Sequence, residues 1–348
     1  MSYTPKHFRL PEGGVLRKDS APGALPYVFS EAIAIAVNVA LATHRPLLVS
    51  GDPGCGKSRL ADAVATVKGW GLLSKTITSR TRLETLTAEV DQLRRLNDAQ
   101  AGRLGGAAPD ADPQAAATAR RPDGYYLNPG IFWWAFDPDG ARLRGLKEPE
   151  ARLHQALLDY PGQRPEGKAT GTVLLIDEID KAEPDLPNDL LEPLDRRRFD
   201  LPDGYLAQHD DGPRSWVEAP PPDALRLLTI ITTNGERELP PAFLRRCVQL
   251  PIPNPDEDEL VKIARHHYPE GDADRIRAVA RIVHQFRDPA RKLQRRPPGT
   301  AELLDAVAAC EELGIQVSDD PASVWSHIER AVLTKDQDLW QALRGRAG

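Results

Sequence analysis

The sequence is poor in the residues on which several large classes of protein depend. It has only three cysteines in 348 residues, at positions 55, 247 and 310, and an odd, scattered set excludes a disulfide framework and offers no zinc-ligand spacing. No run of about eighteen apolar residues occurs, so we expect no membrane-spanning helix. The first residues, MSYTPKHFRLPEGG, lack the apolar segment of a secretory signal, and we therefore expect a cytoplasmic protein.

The chain also lacks an excess of positive charge. It carries 45 lysines and arginines against 51 aspartates and glutamates, a formal net charge of −6. A general nucleic-acid-binding protein usually presents a basic face, so this balance argues against that class. The apolar fraction of 41% is ordinary for a globular protein, and the length favours two domains over one compact core.

The most informative segment is GDPGCGKS at 51–58, which satisfies the P-loop pattern G-x-x-x-x-G-K-[ST]. An apolar run at 46–50 predicts a strand before it, and the residues from Ser58 predict a helix after it. Such a loop directs its backbone N–H groups at phosphate oxygens. We predict that Lys57 contacts the β- and γ-phosphates of ATP and that Ser58 binds Mg²⁺. The other residues predicted to surround the nucleotide here are Gly51, Asp52, Pro53, Gly54, Cys55, Gly56 and Arg59.

The predicted elements divide the chain into three parts. Residues 1–26 are rich in proline and glycine and are predicted to form an N-terminal arm with little regular structure. Residues 27–254 alternate strands with helices, which predicts an α/β domain around a parallel sheet. Residues 255–348 are predicted to form a smaller, all-helical domain. The expected strands are 46–50, 72–78, 172–176, 227–232 and 248–252, and the expected helices of the last part are 257–267, 272–287, 300–313, 321–333 and 336–345.

The middle of the α/β part contains an unusual stretch. Residues 83 to about 100, with four leucines, predict one helix. Residues 101–123 are a low-complexity run of alanine, glycine and proline, which predicts a flexible insert. The segment YYLNPGIFWWAF at 125–136 is the most aromatic part of the chain. Packing beneath the insert explains it better than a ligand platform does.

Three further motifs fit the P-loop. The apolar strand at 172–176 ends in Asp177 and Glu178, a Walker B pattern in which Asp177 holds Mg²⁺ through water and Glu178 polarises the attacking water. Asn234, just past the strand at 227–232, can lie beside Glu178. Arg245 and Arg246 end a helix before the last strand, where they complement the helix dipole or reach a neighbouring subunit's γ-phosphate.

These motifs together resemble the AAA+ ATPases, and more narrowly the MoxR-type AAA+ ATPases. The resemblance implies a P-loop α/β domain with a five-stranded parallel sheet flanked by helices, followed by a smaller helical lid domain. It also implies a lid arginine near the γ-phosphate, for which Arg296, just before the sequence PPGT at 297–300, is the candidate. The segments that carry it are GDPGCGKSRLA (51–61), LETLTAEVDQLRRLNDAQ (83–100), LLIDEIDKAEPDLPNDLLEPLD (174–195), ITTNGERELPPAFLRRC (231–247) and RRPPGTAELLDAV (295–307).

The resemblance further implies a homo-oligomeric ring, by expectation a hexamer, in which Arg246 or Arg245 acts in trans. Proteins of this type remodel protein clients in a chaperone-like way, often with a separate von Willebrand A domain protein. A nucleic-acid-directed ATPase of the restriction or clamp-loader kind is the alternative, favoured only by the basic runs 196–198 and 291–296. A scaffold that binds nucleotide without hydrolysis is a third possibility, against which Glu178 argues.

Overall fold

The structure is a computed structural model, which describes residues 5–20, 24–101, 121–164, 170–221, 224, 226–335 and 340. None of the helices among these residues is long and apolar enough to cross a membrane. The strands are β1 Val15–Leu16, β2 Tyr27–Val28, β3 Leu47–Ser50, β4 Gly71–Thr76, β5 Ala88–Val90, β6 Leu127–Pro129, β7 Thr172–Asp177, β8 Arg198–Asp200, β9 Ala207–His209, β10 Gly212–Arg214, β11 Trp216–Glu218, β12 Leu227–Thr233 and β13 Val248–Pro251. The α-helices are α1 Glu31–Thr43, α2 Lys57–Lys68, α3 Leu83–Leu86, α4 Gln92–Gln100, α5 Ile131–Phe136, α6 Pro138–Arg142, α7 Glu148–Leu153, α8 Leu186–Asp189, α9 Leu191–Arg196, α10 Pro241–Leu244, α11 Glu257–His267, α12 Ala273–Lys292, α13 Thr300–Leu313 and α14 Val324–Ile328.

A five-stranded parallel sheet organises the first domain, with strand order β13-β3-β12-β7-β4. This confirms the predicted fold class. The central strands are buried on both faces, which explains why they are nearly unbroken apolar runs. Because all five strands are parallel, their carboxyl ends meet at one edge, and the P-loop, the Asp-Glu pair and Asn234 all follow strands at that edge.

Hydrophobic layers cover both faces of the sheet. Leu47 and Val49 belong to the layer that contains α1 and α2, whereas Leu48 between them belongs to the opposite layer. The alternation follows from the period of two along a strand. The aromatic segment supplies α5 and part of the opposite layer, in which Phe132 and Trp133 are fully buried. Packing therefore accounts for these aromatic residues.

The N-terminal segment contains little regular structure in its described part, chiefly a 3₁₀ turn and the two-residue strand β1, which pairs with β2. It is nevertheless packed. Phe8 and Leu16 are buried in the layer formed by α1 and α2. The side-chain amide of Asn38 in α1 bonds both the N–H and the carbonyl group of Phe8, which fixes the segment on the domain.

The helices α11 to α14 enclose a separate hydrophobic core, which includes the buried Trp325. Asp256 begins α11 with a capping box, since its carboxylate accepts from the N–H of Glu259 and the Glu259 carboxylate accepts from the N–H of Asp256. The predicted helix 272–287 extends to Lys292. The predicted helix 321–333 is instead α14 followed by a π-helical turn, Glu329–Thr334. Of the predicted helix 336–345, only residue 340 lies within the described residues.

The prediction of one helix over residues 83–100 is wrong. The segment forms α3, then β5, then α4. Strand β5 pairs with β6, so hydrogen bonds to a distant segment replace those of a continuous helix. Leu86 is fully buried, but Leu93 is 70% exposed, which shows that the leucines do not form one buried face. Most of the predicted insert, residues 102–120, lies outside the described residues.

Candidate functional site

The P-loop connects β3 to α2 at the carboxyl edge of the sheet. A side chain at Gly51 is excluded, because its Cβ would lie 2.6 Å from the carbonyl oxygen of Ile252. Gly54 and Gly56 adopt left-handed backbone conformations with φ of 82° and 92°, which glycine accepts without strain. Asp52, Pro53 and Cys55 complete the loop, and burial raises the pKa of the Cys55 thiol. The glycines therefore set the path of the loop into α2.

Lys57 is the first residue of α2 and is almost fully buried. Its Nζ donates to the carbonyl oxygens of Gly51 at 2.8 Å and of Asp52 at 3.0 Å. A buried ammonium group is costly unless it is hydrogen-bonded, and these two bonds hold it within the loop. The structure thus places the lysine where phosphate oxygens bound by the loop would meet it.

Ser58 and Asp177 are 119 residues apart in sequence, and the fold brings their side chains together. The Ser58 hydroxyl donates to Asp177 Oδ1 at 2.8 Å. A hydroxyl and a carboxylate beside a phosphate-binding loop are oxygen ligands of the kind Mg²⁺ takes, together with phosphate oxygens and water. Among the described residues, no group of three or more acidic, histidine or cysteine side chains is arranged so that it could hold a metal ion by itself. The pair nonetheless fits Mg²⁺, which is seldom held by a protein cage alone.

Thr232, near the end of β12, connects the two acidic residues. Its hydroxyl donates to Asp177 Oδ1 at 2.5 Å and accepts from the backbone N–H of Glu178 at 2.9 Å. Thr232 is fully buried, and Glu178 has a left-handed φ of 61° that is uncommon for a residue with a side chain. The hydroxyl therefore fixes both the carboxylate of Asp177 and the turn that directs Glu178.

Glu178 and Asn234 also lie together. Asn234 Nδ2 is 3.4 Å from Glu178 Oε1, and Lys181 Nζ is 2.8 Å from Glu178 Oε2. The backbone N–H of Asn234 donates to the buried Asp180 carboxylate at 3.1 Å, as does that of Glu236 at 3.0 Å. Asp180 thus ties the turn after β12 to the turn after β7, and this contact sets the distance between Glu178 and Asn234.

We expect Thr232→Val to lower ATP hydrolysis about tenfold and to raise the Mg²⁺ concentration required for it. Valine keeps the shape but leaves the Glu178 N–H unpaired, a penalty of about 1–3 kcal/mol that favours another conformation of this turn. Steady-state phosphate release measured against Mg²⁺ concentration tests this. Thr232→Ser should retain most activity, and Thr229→Val in the same strand is the matched control. A Thr232→Val protein with parental turnover and Mg²⁺ dependence would contradict the role.

Arg59 follows the P-loop in the first turn of α2 and pairs with Asp62 at 2.8 Å. Tyr27 of β2 lies beside the loop, with its ring 3.5 Å from where a Cβ of Gly56 would be. Burial raises the pKa of Tyr27, and burial also lowers the pKa of His267, which lies near Arg59 at the end of α11. Strand β2 and the helical domain therefore both approach the start of α2.

Arg245 and Arg246 lie far from their own P-loop. They precede β13, whose first residue pairs with Leu47 at the start of β3, whereas the P-loop follows the end of β3. The three residue steps from Leu47 to Ser50 span about 10 Å. The Arg246 guanidinium pairs with Asp195 and donates to the carbonyl oxygen of Ala242 at 3.1 Å, and Arg245 is exposed. Neither arginine belongs to the cluster around Glu178 within one chain.

Arg296, by contrast, lies next to the P-loop. Its Nη2 is 3.4 Å from where a Cβ of Gly54 would be and 3.4 Å from Glu302 Oε1 in α13. The beginning of α13 also packs here, since a Cβ at Gly299 would lie 3.4 Å from the Pro53 carbonyl oxygen. The helical domain therefore reaches the nucleotide loop through residues just before and at the start of α13.

Several residues of the site were absent from the sequence-based prediction. Thr232, Asp180 and Glu302 make contacts that only the folded chain brings about. The sequence contains a partial signal for the first two, because both are polar residues within or just after buried strands. Glu302 carries only the signal of a glutamate in the first turn of a helix, whose side chain can accept from the N–H of the residue before the helix.

A family model matches the α/β part of the chain. The model of the AAA domain, dynein-related subfamily, matches residues 46–247, more than half of the chain. The matched range contains the P-loop, the Asp-Glu pair, Asn234 and both candidate arginines before β13. No curated protein matches the chain.

Proposed function

Because this chain belongs to the AAA domain family, dynein-related subfamily, we propose that it is a Mg²⁺-dependent ATPase that forms a ring and remodels a protein partner in the manner of MoxR-type proteins. The observation that carries the hydrolytic part is the hydrogen-bonded group at the carboxyl edge of the sheet. It joins Ser58, Asp177 and Thr232 and places Glu178 beside Asn234. A protein that only bound nucleotide would not need this carboxylate.

Each side chain of the group has a separate task in the proposed hydrolysis. Lys57 and the loop N–H groups bind phosphate oxygens, and Ser58 and Asp177 hold Mg²⁺. The metal, when bound, neutralises charge that develops on the phosphate oxygens. Glu178 accepts a hydrogen bond from the attacking water and polarises it, and Asn234 orients either that water or the carboxylate.

The position of Arg246 supports the ring. An arginine that completes the charge stabilisation of phosphoryl transfer must reach the γ-phosphate. Arg246 cannot do this in its own chain, because it lies at the amino ends of the parallel strands, whereas the P-loop follows their carboxyl ends. We therefore propose that it serves a neighbouring copy across an interface. The hexameric state is proposed from the resemblance to MoxR-type proteins alone.

The partner is proposed to be a protein, with a separate von Willebrand A domain protein as the companion that the resemblance implies. The basic residues that would favour nucleic acid have acidic or aromatic neighbours. Arg196 pairs with Glu192 at 3.1 Å, and Arg198 lies over the Trp216 ring at 4.4 Å. Arg291 is 3.8 Å from Asp52. Their charge is therefore partly balanced within the chain.

We expect the purified chain to hydrolyse ATP only with Mg²⁺, and its rate to change less than about twofold with single-stranded or duplex DNA or RNA at low salt. Phosphate release with and without EDTA, nucleic acid and added salt measures both effects. An inactive chain would contradict the ATPase proposal. A strong stimulation that salt abolishes, and that is lost in the double variant Arg196→Ala, Arg198→Ala, would instead identify a nucleic-acid-dependent ATPase.

A further inference from the structure

A cluster of one carboxylate and two cations lies between the helical domain and the P-loop. Glu302, in the first turn of α13, has one oxygen engaged in the helix cap, where Oε2 accepts from the N–H of Gly299 at 2.9 Å. Its other oxygen, Oε1, is 3.1 Å from Lys335 Nζ and 3.4 Å from Arg296 Nη2. Two cations thus share one carboxylate oxygen.

The carboxylate is fixed and the cations are exposed. The Glu302 side chain is 6% exposed, whereas those of Arg296 and Lys335 are 54% and 55% exposed. Burial raises the pKa of Glu302, but N–H donors at the helix start together with Lys335 and Arg296 outweigh it, so the pKa is lowered overall. An ionised, buried carboxylate therefore holds two side chains that have free space to turn.

The cluster touches the loop that binds phosphate. Glu302 Oε2 lies 3.5 Å, and Arg296 Nη2 3.4 Å, from where a Cβ of Gly54 would be. The two cations exceed the single carboxylate by one positive charge, so the cluster attracts an anion at the loop. Lys335 follows the π-helical turn 329–334, whereas Arg296 lies between α12 and α13. Two segments of the helical domain that are distant in sequence thus meet at Glu302, next to the P-loop.

We propose that Lys335 is a further phosphate-binding residue of the nucleotide site, and that Glu302 is the positioning residue that holds Lys335 and Arg296 beside the P-loop and limits their affinity for phosphate. The proposal rests on the proposed binding of ATP. Nucleotide phosphates compete with Glu302 for the two cations. Because the Glu302 side chain is buried and hydrogen-bonded to the Gly299 N–H, the side chains of Arg296 and Lys335 move towards the phosphates.

The negative charge of Glu302 can be removed without loss of the hydrogen bond between its side chain and the Gly299 N–H. Glutamine accepts from the Gly299 N–H as glutamate does, so Glu302→Gln keeps this hydrogen bond at the start of α13. We expect Glu302→Gln to bind the ATP analogue AMP-PNP with Mg²⁺ about tenfold more tightly, because a negative charge near the phosphates is lost. We expect Lys335→Ala to bind it about tenfold more weakly and Lys335→Arg to restore binding. Calorimetric titration measures these affinities.

Two variants in the same domain are matched controls. Glu311 lies near the other end of α13 and pairs with Arg275 at 2.9 Å, so Glu311→Gln removes a paired carboxylate away from the loop. Arg277 pairs with Asp274 at 3.3 Å, and Arg277→Ala removes an exposed cation there. Both should bind AMP-PNP as the parent does. In the absence of nucleotide, Glu302→Gln should increase hydrogen exchange in residues 329–335, since Lys335 loses its partner.

The outcomes separate this inference from the proposed function. If the parent binds and hydrolyses ATP, but Glu302→Gln binds AMP-PNP no more tightly than Glu311→Gln, the role of Glu302 is refuted and the ATPase proposal stands. If Lys335→Ala binds as Arg277→Ala does, Lys335 is not a phosphate ligand. If the parent binds no nucleotide, both proposals are refuted.

Discussion

Glu178→Gln is expected to lower the rate of ATP hydrolysis by about 10²–10⁴-fold while leaving nucleotide affinity within about threefold of the parent. Glutamine retains the shape and one oxygen, which can accept from either Lys181 or Asn234, but it cannot accept a proton from water. The phosphate ligands at the P-loop are unchanged. Single-turnover phosphate release together with nucleotide binding separates the two effects.

Two comparison variants make this expectation specific. Lys57→Ala should lose binding as well as hydrolysis, because its ammonium group lies within the loop. Glu183→Gln changes an exposed carboxylate five residues further along the chain and should behave as the parent does. Parental hydrolysis by the Glu178→Gln protein would refute the assignment of Glu178 as the base. Loss of binding in that protein would assign it a structural role instead.

Arg246→Ala is expected to lower hydrolysis by about 10³–10⁵-fold, provided that the arginine completes a neighbouring site. It should not lower nucleotide affinity at the chain's own P-loop, which lies at the other edge of the sheet. The decisive test mixes Arg246→Ala subunits with Lys57→Ala subunits. Each is inactive alone, but a mixed assembly contains interfaces at which an intact P-loop meets an intact Arg246. Activity should therefore reappear in the mixture.

Native mass spectrometry on the mixture shows whether mixed assemblies form. Mixed assemblies without recovered activity would contradict action in trans by Arg246. The same experiment with Arg245→Ala subunits in place of Arg246→Ala subunits shows which of the two adjacent arginines acts in trans. Arg246 pairs with Asp195 in the free chain, whereas the Arg245 side chain is exposed. Recovery that depends on Arg245 instead would transfer the role to that residue.

The nucleotide loop and the strand ends were predictable because their information is local. The pattern G-x-x-x-x-G-K-S specifies a turn that needs glycine at Gly51 and Gly56 and a helix that starts at Lys57. The buried strands of a parallel sheet are continuous apolar runs, and the polar residues after them mark their carboxyl ends. The helices α11, α12 and α13 also follow local signals, such as the Asp256 cap and the αL glycine Gly314.

The predictions failed where distant segments decide the structure. Residues 83–100 have leucines at helical spacing, but the pairing of β5 with β6 interrupts the helix. Residues 321–333 have an apolar pattern that does not distinguish an α-helix from α14 and its π-helical turn. In both cases, contacts with other elements outweigh a local preference of a few tenths of a kcal/mol per residue.

By itself, the sequence determined the class of the sheet, the chemistry of the P-loop and the identity of the acidic pair, because each depends on residues adjacent in the chain. Only the tertiary structure decided that Thr232 fixes Asp177 and Glu178, that Arg246 lies away from its own P-loop, and that Glu302 gathers Arg296 and Lys335 beside Gly54. These are distances between residues far apart in sequence. Such distances depend on how strands are ordered and how the helical domain packs, and no local pattern encodes them.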